Sequence, residues 1–178
     1  MSTYKKNLEL LTKNNVYSKE MEHDACGVGL IASTEGKKSR EVVEYGIEAL
    51  KAVWHRGAVD ADGKTGDGAG IHLEIPKDFF VEKIEVTGHT HDGSDICVGM
   101  IFLPRNDYSS QESCKTIVES ELTKNDFSIY GWRQVPVNPK VLGEKAFQTM
   151  PEIIQVLFKS NDKNLLDKDL ERKIYETR

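Results

Sequence analysis

Cys26 is the residue of this 178-residue chain whose setting best suits covalent chemistry. It opens a short apolar run, Cys26–Ala32, and follows a polar stretch, Met1–Ala25. If the bond between Ala25 and Cys26 were cut, the thiol would lie beside a free α-amine. That amine has a pKa of about 7.7–8.0, which suits it to accept the thiol proton. Because a base held beside a nucleophile activates it, one residue would supply both groups.

The simpler interpretation of Cys26 is structural, since a lone cysteine at the start of a strand is usually a small buried apolar side chain. The other cysteines are Cys97 and Cys114. Three widely spaced cysteines do not form a disulfide framework. They do not form a zinc site either, because no two are close in sequence and no paired histidines complete four ligands. Reduced thiols are typical of cytosolic proteins.

Arg56 and Gly57 follow a predicted amphipathic helix. Ser39 is a suitable N-cap, and apolar residues between Val42 and Trp54 recur at helical spacing. Gly57 is expected to take the left-handed conformation that ends many helices. Arg56 is then either a cation favoured by the helix dipole or a binding residue, and the spacing does not choose between them.

The segment Thr65–Gly70, the end of the glycine-rich stretch Asp62–Gly70, could be mistaken for a phosphate-binding loop. It lacks the Lys-Ser/Thr ending of a P-loop, and its glycines do not lie between a strand and a helix. We therefore predict a tight connection near the nucleophile, in which Asp67 is a turn carboxylate.

A second polar segment, His89–Asp95, contains two histidines and two aspartates that are possible metal ligands. No rigid element is predicted to hold them. A solvated turn is the better interpretation of this segment.

The remaining pattern predicts alternating strands and helices. Strands are expected at Cys26–Ala32, Ile71–Ile75, Ile96–Leu103, Phe127–Val135 and Ile153–Phe158, the third of them central because it is continuously apolar. Helices are expected after Ser39, from Pro76 through Ile84, and over Asp167–Arg178. A further helix is expected to begin at a Ser109–Glu112 capping box. Its inner face would carry Cys114, Ile117, Val118 and Leu122. This order indicates an α/β or α+β protein.

Composition excludes two classes of partner. The chain has 29 acidic and 24 basic residues and a net charge of -5, which argues against nucleic-acid binding. No apolar stretch is long enough to cross a membrane. Met1–Ala25 lacks the apolar core of an export signal and carries several acidic residues, so a cytoplasmic location is predicted.

The run Glu22–Ala32 resembles the maturation site of glutamate synthase large subunits. His55–Ala58 resembles the motif that follows their first helix, and Asp62–Gly70 resembles their next loop. The stretch from Trp132 through Gly143 is also similar. The likeness extends roughly from Met21 to Arg178, with its motifs in the same order as in the family.

The resemblance implies an N-terminal-nucleophile hydrolase fold, a four-layer αββα sandwich that is incomplete at the C-terminus of this chain. It implies a leader at 1–25, removed on maturation, and a type 2 glutamine amidotransferase domain at 26–178. Cys26 would attack the side-chain amide of L-glutamine and form a γ-glutamyl thioester. Ammonia leaves, and water then releases glutamate. Arg56 and Gly57 would line the glutamine pocket in a supporting role.

The resemblance also implies partners for the full-length enzyme. There, ammonia is used to make glutamate from 2-oxoglutarate in further synthase domains that hold FMN and an iron–sulfur cluster. Electrons would come from an NADPH-oxidising small subunit or from ferredoxin. No cofactor and no metal is expected in this chain itself.

Two elements of the family do not occur in the sequence. One is an Arg-Phe-Ser-Thr segment that holds the substrate carboxylate, and the other is an Asn-Gly pair that stabilises the oxyanion. Because an oxyanion-hole donor is typically worth about 10²–10³ in rate, this chain alone is expected to be inactive or weakly active. Missing neighbours should also leave exposed strand edges and poor solubility.

Two other functions stay open at this point. In the first, the chain is another N-terminal-nucleophile amidase that acts on a different amide substrate. In the second, it is a catalytically inactive fragment or binding module in which Cys26 is a core thiol. The glycine-rich loop Thr65–Gly70 favours the glutaminase of glutamate synthase.

Overall fold

The computed structural model describes residues 3–14, 27–54, 57–66 and 68–178. Its helices are α1 Thr3–Lys13, α2 Arg40–Ala52, α3 Lys77–Val86, α4 Tyr108–Lys124, α5 Glu144–Thr149 and α6 Asp167–Thr177. Its strands are β1 Cys97–Leu103, β2 Phe127–Gln134 and β3 Glu152–Ser160. A 3₁₀ turn, Pro139–Val141, precedes α5.

The chain divides into two compact units. The first comprises the described residues up to Ala58 together with those of Gly66–Ile71. The second comprises Val59–Thr65 and His72–Arg178. All fully buried apolar side chains of the described residues lie in the second unit.

The second unit is built on a three-stranded antiparallel sheet in the order β1-β3-β2. Cys97 of β1 lies opposite Phe158 of β3, and Phe127 of β2 lies opposite Ser160. The strands have seven to nine residues, and each carries fully buried side chains.

A β-bulge interrupts β2 between Ile129 and Gly131. Gly131 has a φ of 141°, which other residues rarely adopt. A β-carbon there would also lie 2.9 Å from the Thr87 methyl group. The Thr87 hydroxyl lies 2.7 Å from the carbonyl oxygen of Tyr130, so the bulge joins the sheet to the end of α3.

Successive residues of β3 point to opposite faces of the sheet, and each face has its own helical cover. Leu157 packs with Phe80 and Ile84 of α3. Val156 and Phe158 pack on the other face with side chains of α4 and α6, namely Val118, Leu122, Leu170 and Ile174. The second unit is therefore an α+β arrangement, and the α+β class predicted from the sequence is confirmed.

The first unit contains α1 and α2. The Ser39 side chain accepts a hydrogen bond of 3.3 Å from the Val42 amide and caps α2, as predicted. Val42, Val43 and Ile47 form a half-buried face, and no residue of α2 is fully buried.

Two predicted strands are wrong. Residues 27–33 have no regular secondary structure, and the Val28 and Leu30 side chains are 92% and 89% exposed. Ile71–Ile75 is also irregular. A strand needs a hydrogen-bonded neighbour, and no described residues pair with either segment. Apolar composition alone does not reveal whether that neighbour exists.

The prediction that β1 is the central strand is wrong as well, because β3 lies between the other two. Among the described residues β1 is an edge strand and exposes Met100 and Phe102. An exposed edge was predicted. The expected poor solubility stays a prediction.

The predicted capping box at Ser109–Glu112 is replaced by a cap at Asp107. The Asp107 carboxylate accepts hydrogen bonds from the amide and hydroxyl of Ser110, at 3.0 and 2.7 Å. The helix therefore begins earlier, at Tyr108. Ile117, predicted on the inner face, is 62% exposed because the inner face passes through Val118 and Leu122 instead.

The first helix of the predicted pattern ends earlier than expected. α2 ends at Ala52 with Val53 as its C-cap, and Gly57 is not among the glycines with a positive φ. Trp54 is 73% exposed, so it is not a core aromatic. The short helix α5 was not predicted. No helix among the described residues has both the length and the apolar character needed to cross a bilayer.

Candidate functional site

The proposed nucleophile Cys26 and the proposed support residue Arg56 lie outside the described residues, as do 15–25 of the leader and Asp67. Gly57 is described.

Gly57 lies in a tight turn after α2. Its amide donates a 3.0 Å hydrogen bond to the carbonyl oxygen of Trp54. A β-carbon at Gly66 would lie 3.2 Å from the carbonyl oxygen of Ala58. The residues on either side of the Val59–Thr65 loop are thus close together within the first unit, next to the turn that carries Gly57.

Gly46 allows a second close approach within the same unit. A β-carbon at this position, in the middle of α2, would lie 3.1 Å from the Cδ1 atom of Ile71. Glycine within a helix costs roughly 0.5–1 kcal/mol relative to alanine. At Gly46 the missing side chain lets the end of the Gly66–Ile71 segment pack directly against the helix.

The Val59–Thr65 loop is closed by its own hydrogen bonds. The Asp60 amide donates to the carbonyl oxygen of Thr65 at 2.7 Å, and the Gly63 amide donates to that of Asp60 at 2.9 Å. One oxygen of the Asp62 carboxylate accepts from the amides of Lys64 and Thr65, at 2.9 and 2.7 Å. The other accepts from the Thr65 hydroxyl at 2.5 Å.

These donors make the Asp62 carboxyl more acidic than an ordinary aspartate. The Thr65 hydroxyl contributes most, followed by the amides of Thr65 and Lys64, and together they lower the pKa of Asp62 to about 2. The cause is hydrogen bonding to the charged form. The amide of Glu144 adds a smaller effect of the same sign.

Residues 143–145, at the start of α5, contact the Val59–Thr65 loop. Lys145 forms a 2.5 Å ion pair with Asp60, and its hydrogen bond is the main reason that the pKa of Asp60 is lowered. A β-carbon at Gly143 would overlap the Asp62 carboxylate and the Thr65 hydroxyl, and would lie 2.6 Å from the Thr65 nitrogen. Only glycine fits there without moving the loop.

Substituting Asp62→Asn is expected to destabilise the protein at neutral pH and to matter less as the pH falls. A carboxyl whose pKa is depressed from 3.8 to about 2 contributes stability above the unfolded value, and this is lost as the pH falls through the folded value. The difference in denaturation midpoint between wild type and variant should shrink between about pH 4 and pH 2. Urea unfolding at a series of pH values measures it. A difference that stays constant down to pH 2 would contradict the prediction.

The His89–Asp95 segment is held by internal contacts of the second unit. Asp92 pairs with Lys159 at 2.8 Å, and Asp95 pairs with Lys77 at 2.7 Å. His91 Nε2 lies 2.8 Å from the carbonyl oxygen of Ser94. These partners favour the interpretation of this segment as a turn over that of a metal site.

The described residues do not fit a metal or an iron–sulfur cluster. No group of three or more histidine, cysteine or acidic side chains among them is arranged to hold a metal ion. Cys97 is buried in β1, which raises the pKa of its thiol to about 11. Cys114 is half-buried on α4.

Sequence reasoning missed the contact between the loop and the start of α5. Asp62 and Gly143 each lie in a segment that resembles the family, but nothing in the sequence joins the two. The Asp62–Thr65 spacing is itself a signal for a side chain that caps its own turn. The partner at Gly143, about eighty residues away, becomes visible only in the folded chain.

Residues 26–178 match the family of class-II glutamine amidotransferases, and the chain belongs to that family. Its relatives include the glutamate synthase [NADPH] large chain of Azospirillum brasilense, 52% identical over 175 residues, which are 98% of this chain and 12% of that protein. Ferredoxin-dependent glutamate synthase 1 of Arabidopsis thaliana is 41% identical over 155 residues, 86% of this chain and 9% of that protein. The ferredoxin-dependent enzyme of Pyropia yezoensis is 38% identical over 170 residues, 95% of this chain and 11% of that protein. The chain thus spans about a tenth of the length of these relatives.

Proposed function

We propose that this chain is the glutamine-hydrolysing part of a glutamate synthase, with Cys26 as the nucleophile. The observation that carries the proposal is the family match, which begins at residue 26. The relatives named above are all glutamate synthases, which supports this enzyme over other amidases that share the nucleophile.

In the proposed mechanism, removal of residues 1–25 frees the α-amine of Cys26. The amine accepts the thiol proton, and the thiolate attacks the side-chain amide carbon of L-glutamine. The carbon–nitrogen bond breaks, ammonia leaves with the transferred proton, and a γ-glutamyl thioester stays on Cys26. Water attacks the thioester, glutamate departs and the thiol is restored. The net reaction consumes one glutamine and one water and yields glutamate and ammonia.

Arg56 and Gly57 have a supporting role in this proposal. Both residues would line the glutamine pocket, with Gly57 in the turn after α2. The mechanism also needs hydrogen-bond donors to the oxyanion of the tetrahedral intermediate, and a group that binds the substrate carboxylate.

The rest of the proposal concerns the whole enzyme. Its fold is the four-layer αββα sandwich, to which the β1-β3-β2 sheet contributes strands. Ammonia passes to further domains that convert 2-oxoglutarate to glutamate with FMN and an iron–sulfur cluster. The electron donor is an NADPH-oxidising subunit or ferredoxin, and NADPH and ferredoxin both occur in the names of the relatives. We place the enzyme in the cytoplasm.

Intact mass spectrometry of the natural full-length protein, before and after reaction with an electrophilic glutamine analogue, tests the proposal. We expect loss of residues 1–25 and a single adduct, which peptide mapping locates on Cys26. Cys97 provides an internal control, because its buried thiol is protonated at neutral pH and reacts slowly. Glutamine should compete with the label. A protein that hydrolyses glutamine while Cys26 stays unlabelled and uncut would overturn the assignment.

A further inference from the structure

We propose, from the topology of the second unit alone, that the free edge of β1 is the docking site for a β-strand that follows α6 in the natural full-length protein. Strand β3 pairs with one side of β1, and no described residue pairs with the other side. The incoming strand pairs with that other side and extends the sheet. The occupant of the edge is thus a segment of the same polypeptide.

Strands β1 and β2 with helix α4 form a split β-α-β arrangement. Both strands run antiparallel to β3, so they are parallel to each other. Helix α4 connects them, and β3 occupies the position between them. Connections between parallel strands of one sheet are right-handed in about 98% of cases. The connection from β1 to β2 therefore skips one strand position, on the face that α4 covers.

Strand β3 and helix α6 repeat the beginning of this arrangement. Leu170 and Ile174 of α6 pack on the same sheet face as α4. Because β3 runs opposite to β1, a right-handed connection through α6 on this face must cross the sheet in the opposite direction. The first position in that direction from β3 is already occupied by β1. The second is the free edge of β1, where a strand parallel to β3 fits.

The C-terminal end of α6 lies beside β1. A groove in the second unit is lined by Val98–Ile101 of β1, by Ile117 and Glu121 of α4, and by Thr177 and Arg178 at the end of α6. Helix α6 thus approaches the edge strand with the end from which a following segment starts. Connections between a helix and a strand usually have about two to six residues, which is enough to enter the free edge from here.

The edge of β1 lacks the features that protect exposed strands from pairing. Proteins that leave a strand edge in solvent usually place charged residues, proline or a bulge there. Strand β1 has the sequence CVGMIFL, with neither a charged residue nor proline, and its register with β3 is continuous from Cys97 to Leu103. Met100 and Phe102 are 48% and 64% exposed, so an added strand also covers apolar surface.

A strand joined to α6 has an advantage over any separate partner at this edge. The chain spans about a tenth of the length of the relatives named above, so a full-length protein of this kind has room for the additional strand. A short connection gives the joined strand an effective concentration at β1 on the order of millimolar. A second copy of the protein in dilute solution is therefore excluded from the edge.

Hydrogen exchange of the natural full-length protein tests whether β1 is paired on both sides. An edge strand leaves about half of its amides without a strand partner. With neighbours on both sides, every amide from Val98 to Leu103 should exchange at least about a hundredfold more slowly than in an unstructured chain. The amides of β3, which is paired on both sides, provide the reference. Rapid exchange of about half of the β1 amides would overturn the proposal.

A photo-crosslinker identifies the neighbour of β1. Phe102, and in a second variant Met100, is replaced by p-benzoyl-phenylalanine, which both sites tolerate because their side chains are partly exposed. Facing residues of adjacent strands have Cβ atoms about 4.5–5.5 Å apart, within reach of this group. We expect a crosslinked peptide that begins within about ten residues after Arg178, as a strand with a short connection requires.

Phe79 is the matched control position for the crosslinker. Its ring is 39% exposed and lies 5.1 Å from the guanidinium of Arg133 on β2, at the opposite edge of the sheet. The same replacement at Phe79 should not crosslink to the segment after α6.

The crosslinked peptides and the exchange rates decide the proposal together. Full protection of β1 with crosslinks from Met100 or Phe102 into the segment after α6 supports it. If neither position crosslinks to that segment, or if the crosslinks lead only to a distant part of the chain or to a second copy, the proposal is wrong. The proposed function then still stands, because neither β1 nor α6 is assigned a part in the chemistry.

Discussion

Replacing Cys26 with alanine is expected to abolish glutamine hydrolysis, lowering kcat by about 10⁴-fold or more. The thiolate is the atom that forms the covalent bond to the substrate, and no other group in the mechanism can take its place. The measurement is glutamate release from L-glutamine by the natural full-length protein, with folding verified by circular dichroism.

Cys114→Ala is the control for this substitution, because Cys114 is a half-buried thiol on α4 with no part in the mechanism. It should keep wild-type turnover. Undiminished hydrolysis by Cys26→Ala would refute the assignment of the nucleophile. Loss of hydrolysis of some other amide, with glutamine a poor substrate for wild type, would instead indicate a different N-terminal-nucleophile amidase.

Replacing Leu157 with alanine is expected to have the largest effect on stability. Leu157 lies in the middle of β3, the central strand, and none of its surface is exposed. It packs against Phe80, Ile84 and Tyr130. Removing its side chain loses apolar burial and leaves a cavity, which together should lower the free energy of unfolding by about 2–5 kcal/mol. Urea unfolding at neutral pH measures the change.

Ile117→Ala is the matched control for apolar truncation. Ile117 is 62% exposed on α4, where alanine also favours the helix. Its free energy of unfolding should stay within about 0.5 kcal/mol of wild type. Equal losses for the two variants would mean that Leu157 is not at the centre of the core.

The two substitutions probe different parts of the chain. Leu157 belongs to the core on which the second unit depends. Cys26 belongs to the segment where the family match starts. A variant that loses stability while its KM for glutamine is unchanged, and a variant that loses turnover without losing stability, would show that core and chemistry are separable.

Local signals in the sequence predicted much of the secondary structure. Ser39 was identified as the cap of α2, and the helix after Pro76 forms as α3. Each of these depends on hydrogen bonds or dihedral preferences within a few residues. The strand β1 was recognised because continuous apolar composition is typical of strands with both faces covered, and strands were also predicted where β2 and β3 form.

The failures have a common physical cause. Residues 27–33 and Ile71–Ile75 have strand-like composition, but a strand forms only where a neighbouring strand supplies hydrogen bonds. The cap of α4 is Asp107 and not the predicted Ser109, which lies two residues further along the chain. Composition describes a segment and does not describe its neighbours.

The sequence by itself determined the family, through motifs around Cys26 and Arg56, and it determined the candidate nucleophile, because chemistry depends on residue type and on its place in the chain. Only the tertiary structure decided that β3 is central and that Asp62 meets Gly143. The physical reason is distance along the chain. Capping and helical periodicity act within about four residues, whereas strand order and the contact at Gly143 join segments that meet only after the chain has folded.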